Sequence, residues 1–219
     1  MATLPLLDGP RVLPASGKAP TSLVVLLHGY GSNGADLISL VPYWQEGLPD
    51  AAFVAPNAPE RCPGAPGGYQ WWALTSLTPD ARAAGARTAA PVLDAFIDAE
   101  LERYGLTGDR LGLVGFSQGT MMTLQVGPRR ATPPAGLVGY SGALAGEAAL
   151  AAQATGRPPV LLVHGDADPV VPVQALAHAR DALAALGFEV ATHVSPGLGH
   201  SVDAEGLRLG EEFLHRVLA

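Results

Sequence analysis

The pentapeptide Gly115-Phe116-Ser117-Gln118-Gly119 follows directly on the apolar run Leu111-Gly112-Leu113-Val114 and opens a segment of helical spacing. A serine on such a strand-to-helix turn occupies strained backbone that pushes its hydroxyl toward a substrate, and the flanking glycines let strand and helix approach without a clash. The chemistry this serves is nucleophilic acyl transfer. A near-match, Gly139-Tyr140-Ser141-Gly142-Ala143, reads instead as a turn at a strand end.

Three further segments carry groups such a nucleophile would need. In Leu27-His28-Gly29-Tyr30-Gly31 the histidine-glycine pair turns the backbone so that an amide N–H faces the nucleophile. A tetrahedral intermediate carries an oxyanion, and losing one preorganised donor to it typically costs ~3 kcal/mol. We assign the two donors to the backbone N–H groups of Tyr30 and Gln118. His28 reads as a turn residue whose ring bonds backbone, not as a catalytic base.

The segment from His164 to Pro172 holds Asp166 and Asp168. A buried carboxylate here would orient an imidazole and stabilise its protonated form. Spacing leaves both aspartates open for that role, with the other capping the loop through its own backbone. A glycosidase pair is disfavoured, because two carboxylates so close in one loop would both have to flank one sugar bond. Finally, Gly197-Leu198-Gly199-His200-Ser201 places a histidine on a glycine-flanked loop, free to swing over the nucleophile, whereas His178 and His215 fall on helical segments and His193 in a strand. His200 is the base candidate.

These groups follow the ends of short apolar runs: Leu23 to Leu27, Ala51 to Ala55, Arg110 to Phe116, Gly136 to Tyr140, Pro159 to His164 and Phe188 to Val194. Most are continuously hydrophobic, as strands covered on both faces are. Between them helical spacing predicts helices over 34–45, 83–104, 118–127, 146–155, 173–186 and 203–218, with Pro91 leaving the start of the second open. Strand and helix alternating along the chain make this an α/β fold, a mostly parallel sheet with helices on both faces. Ligands then bind at the carboxyl ends of the strands. The first twenty residues, with Gly9-Pro10 between apolar runs, suggest an antiparallel edge hairpin. No linker interrupts the pattern, so residues 1–219 read as a single domain.

Composition narrows the function classes. With 48% hydrophobic and 15% charged residues the chain has enough apolar surface for a substantial core. A net charge of −7 without any basic run speaks against nucleic-acid binding. The lone Cys62 can form neither an internal disulfide nor a zinc cage, and it reads as a spectator thiol. A lone cysteine demands no oxidising compartment, so a cytoplasmic location is expected, and residues 1–9 show no positive, apolar leader. The uncharged stretch from Leu111 to Pro128 is broken by glycines and polar residues and reads as protein core, not as a membrane span.

At these residues the chain resembles the phospholipase/carboxylesterase family of α/β-hydrolases, which includes carboxylesterases, lysophospholipases and acyl-protein thioesterases. The resemblance rests on 27–31, Trp71-Trp72, 115–119, Ser141-Gly142, His164-Gly165, Asp168-Pro169-Val170-Val171-Pro172 and Gly199-His200, in order along most of the chain. It implies a single α/β-hydrolase domain in which Ser117, Asp168 and His200 form the triad, so that Asp168 and not Asp166 is the acid. It also implies a serine carboxylesterase acting on short- to medium-chain acyl esters, with lysophospholipids and acyl thioesters as related substrates, through an acyl-enzyme and without metal or organic cofactor. Tyr30 stands where the family often has leucine.

The stretch 59–77 covers the site as a loop, and its Trp71 and Trp72 either line an acyl groove for substrate binding or pack the loop onto the body. Proline peptidases share the triad but usually need an extra domain, for which 219 residues leave no space. Dienelactone hydrolases carry cysteine where this chain has Ser117, and a catalytically silent binding protein on the same fold is the non-enzyme alternative. The expected partner is a small-molecule ester; exposed apolar loop residues leave a homodimer open, and no integral membrane association is expected.

Overall fold

The computed structural model describes residues 6–76 and 78–219. Its strands are β1 (Arg11–Val12), β2 (Ser22–Leu27), β3 (Ala51–Val54), β4 (Glu60–Arg61), β5 (Tyr69–Gln70), β6 (Leu111–Phe116), β7 (Gly136–Tyr140), β8 (Val160–Gly165) and β9 (Val190–Ser195). Its helices are α1 (Gly34–Ile38), α2 (Pro79–Tyr104), α3 (Gln118–Val126), α4 (Glu147–Gln153), α5 (Gln174–Ala185) and α6 (Ala204–Leu218). Seven strands form one sheet in the order β1-β3-β2-β6-β7-β8-β9. All neighbours run parallel except β1, which pairs antiparallel with β3.

Apart from the edge strand β9, which is largely exposed, the apolar runs become strands because both of their faces are covered. Leu23, Val25 and Leu27 of β2 point into a core with Leu93, Ile97, Met122 and Leu183, from α2, α3 and α5. The intervening Val24 and Leu26 point into a second core with Leu37 of α1 and Leu207 and Leu214 of α6. This is the period-2 alternation of a strand with two apolar faces.

Four expectations are corrected. The predicted edge hairpin is a single edge strand whose partner, β3, lies some forty residues downstream, so the pairing is non-local; the reading of 1–5 lies outside the described residues. The helix expected over 34–45 ends at Ile38 and gives way to a short 3₁₀ turn at Val41–Tyr43, where Pro42 has no N–H to continue an α-helix. Helix α2 begins before residue 83, because Thr78 caps it by accepting from the Ala81 N–H and Pro79 fits the first turn. The loop over 59–77, of which Leu77 lies outside the described residues, contains the β4–β5 hairpin. Residues 111–128 form β6, α3 and the turn after it, and no helix among the described residues is long and apolar enough to cross a membrane.

Candidate active site

Ser117 lies between β6 and α3 with φ 55° and ψ −113°, a backbone conformation costly for a residue with a Cβ. The flanking glycines make the turn possible by close approach. A Cβ on Gly115 would overlap the Gly119 backbone, and one on Gly119 would overlap the Leu27 carbonyl. The serine Oγ–H therefore projects from the carboxyl end of the sheet.

The turns after β8 and β9 bring the other two groups to it. His200 Nε2 lies 3.0 Å from Ser117 Oγ, and His200 Nδ1 lies 2.7 Å from Asp168 Oδ2. The carboxylate fixes Nδ1–H as donor, which leaves Nε2 to accept from the serine hydroxyl. Phe116 packs on the imidazole with ring centroids 4.9 Å apart. Asp168 Oδ1 accepts from the N–H groups of Val170 and Val171 at 2.8 and 2.9 Å. Burial pushes the Asp168 carboxyl up, but these bonds and the one from His200 prevail and hold it below the usual carboxylate range. The carboxylate facing His200 is therefore held ionised.

Asp166 has a different role from the expected one: its Oδ1 accepts from the Gly197 N–H at 2.6 Å, across to the loop that carries His200. That loop is fastened, not free to swing. Ala167 N–H donates to the Leu198 carbonyl at 3.0 Å, and Ser141 Oγ donates to the Ser201 carbonyl at 3.1 Å. His164, to which the sequence motif gives no role of its own, has its buried Nε2 2.8 Å from the Val171 carbonyl and 3.3 Å from Asp168 Oδ2. Its position at the end of β8, four residues before Asp168, was the available signal.

The backbone N–H groups of Tyr30 and Gln118 have no hydrogen-bond partner among the described residues, although Gln118 is buried. Gln118 opens α3, where the first amides have no intrahelical acceptor. His28 bonds backbone on both sides: Nδ1–H donates to the Gly29 carbonyl at 2.7 Å, and Nε2 accepts from the Ala58 N–H at 2.9 Å. Burial pushes its pKa down, so it is held neutral, against the opposing pull of the Gly29 bond.

A cleft of about 840 Å³ opens over Ser117. Its walls include Leu74, Met121, Leu144 and Val170, and the polar side chains of Asp80, Arg82, Glu147 and His178 also reach it. Trp71 and Trp72 do not line this cleft; both are buried, Trp72 against Gly85 of α2. Of the two alternatives for the tryptophans, the structure shows packing. Cys62 is buried and unpaired. Among the described residues no group of three or more His, Cys, Asp or Glu side chains is placed to hold a metal ion.

Comparison with known proteins identifies the family of the chain and matches its fold. The profile of the Phospholipase/Carboxylesterase family matches residues 9–218. The crystal structure of esterase PE8 superposes with a TM-score of 0.93 at 46% identity, covering 97% of this chain and 100% of that one. Acyl-protein thioesterase 1 of Neurospora crassa is 30% identical over 222 residues, 94% of this chain and 90% of its own. Esterase YpfH of Escherichia coli is 26% identical over 203 residues, 93% of this chain and 86% of its own. With its fold and nearly its whole length matched, the chain belongs to the phospholipase/carboxylesterase family of α/β-hydrolases, hydrolases of carboxylic esters.

Proposed function

We propose that this chain is a serine carboxylesterase that cleaves short- to medium-chain acyl esters through a Ser117–His200–Asp168 triad. The observation that carries this is the unbroken hydrogen-bonded line from Asp168 Oδ2 through the His200 ring to Ser117 Oγ, at the floor of an apolar cleft. His200 Nε2 takes the hydroxyl proton as Ser117 Oγ bonds to the acyl carbon. The carbonyl oxygen becomes an oxyanion between the Tyr30 and Gln118 N–H groups. The intermediate collapses, His200 returns its proton to the leaving alcohol, and the acyl group remains on Ser117. Water, deprotonated by His200, then attacks the acyl carbon; the bond from that carbon to Ser117 Oγ breaks, His200 returns the proton to Oγ, and the acid leaves.

The cleft volume lies within the usual range of small-molecule sites, about 300–1,000 Å³. Its apolar walls suit an acyl chain, and the relatives named acyl-protein thioesterase support thioesters as a second substrate class. The test is labelling with a fluorophosphonate, which phosphonylates an activated serine. One label per chain is expected, mapped to the peptide holding Ser117 and lost in Ser117→Ala. Absence of labelling on folded protein would favour the silent binding protein.

A further inference from the structure

We propose that Trp71 and the side chain of Gln118 form a brace that fixes the two oxyanion donors relative to one another, making both positioning residues for the reaction. The inference rests on the oxyanion assignment above and deepens it.

The donors come from different turns. Tyr30 follows β2, flanked by Gly29 and by Gly31 at φ 79°, and Gln118 opens α3 after β6. The glycines give the Tyr30 turn conformational latitude, so its amide direction has to be set from outside. The strip 69–72 meets both turns. On the Gln118 side, Trp71 N–H donates to Gln118 Oε1 at 2.9 Å, and Gln118 Nε2–H donates to the Trp72 carbonyl at 2.9 Å. On the Tyr30 side, the Trp71 indole Nε1–H donates to the His28 carbonyl at 3.0 Å. Gly31 N–H donates to the Tyr69 carbonyl at 2.8 Å, and Tyr69 N–H donates to the Ser32 carbonyl at 2.7 Å.

One residue therefore spans the gap, Trp71 by its amide to one donor's side chain and by its indole to the backbone two residues before the other donor. Trp71 is 1% exposed, Gln118 2% and His28 0%, so these bonds are made out of water, where leaving a partner unsatisfied is costly. The Gln118 amide is used on both atoms by backbone. Its side chain thus serves the site through the strip and its main-chain N–H through the oxyanion. Oxyanion donors act only when aimed at where charge develops, and a displacement of about 1 Å costs on the order of 10²-fold.

The test uses Trp71→Phe, which deletes only the indole donor while keeping most of the packing, Gln118→Met, which deletes both amide bonds but keeps the main-chain N–H, and the double variant. Turnover of p-nitrophenyl butyrate is measured per active site titrated with fluorophosphonate, together with KM and the affinity for n-butylboronic acid, which forms a tetrahedral adduct on a serine oxygen. The brace requires kcat per titrated site to fall about threefold to tenfold in Trp71→Phe and about tenfold to 100-fold in Gln118→Met. KM should stay within about twofold, and boronate affinity should fall with kcat. The double variant should lose less than the product of the two, since each breaks the same connection.

A purely structural role would lower the titrated fraction or the Tm and leave kcat per site unchanged; that result in both variants overturns the proposal. Losses in the double variant equal to the product also overturn it. Should Gln118→Met fail to fold, Trp71→Phe decides alone. Failure of the triad assignment is separately visible, since the wild-type protein would then titrate no sites.

Discussion

Asp168 and Asp166 differ by two positions and by everything their carboxylates touch. Asp168 Oδ2 faces His200 Nδ1, whereas Asp166 reaches a backbone amide of the neighbouring loop. Asp168→Asn keeps the shape but removes the acceptor that fixes the imidazole tautomer, and a loss of about 10⁴-fold in kcat is expected. Asp166→Asn should cost less than about tenfold, because its amide oxygen still accepts from Gly197. Steady-state kinetics on the two variants check this, and a larger loss in Asp166→Asn would mean that the wrong aspartate has been placed in the triad. At this scale the sequence was legible wherever placement follows from backbone position: Ser117 on its glycine turn, His200 after the last strand, His28 as a turn residue. It was not legible for Trp71, whose partners are 43 and 47 positions away and leave no local mark.

At the scale of elements, five of the six long strands were readable because two buried faces require uninterrupted apolar residues, whereas the edge strand β9 is largely exposed and mixes polar with apolar residues. The β4–β5 hairpin was not, because its strands are two residues each and β4 is exposed, so no periodicity develops. Helix α2 shows how tertiary contact overrides propensity. Gly85 in its interior should by propensity be better as alanine by about 1 kcal/mol. Yet a Cβ there would overlap the Trp72 ring, and overpacking of that kind costs about 1–3 kcal/mol. The contact should win: Gly85→Ala is expected to lower the Tm by a few degrees in a thermal melt, at about 2–4 °C per kcal/mol for a chain of this size. A raised Tm would show that the tryptophan segment yields freely and that its packing against α2 contributes little.

For the molecule as a whole, the parallel sheet is what makes a site from distant residues. Parallel strands put their carboxyl ends on one side, so the turns after β2, β6, β8 and β9 deliver Tyr30, Ser117, Asp168 and His200 to a common place. That logic was available from the alternation of apolar runs and helical spacing. The cleft that would receive the acyl group was not, since its walls come from α2, α3, α4, α5 and the loops around them, and side-chain facing is settled by packing. The most direct test is hydrolysis of p-nitrophenyl esters from acetate to palmitate by wild-type protein and Ser117→Ala side by side. Activity peaking at short or medium chains and falling by about 10⁴-fold or more in the variant is the expected result. Near-native turnover in folded Ser117→Ala would contradict the assignment of Ser117 as the nucleophile.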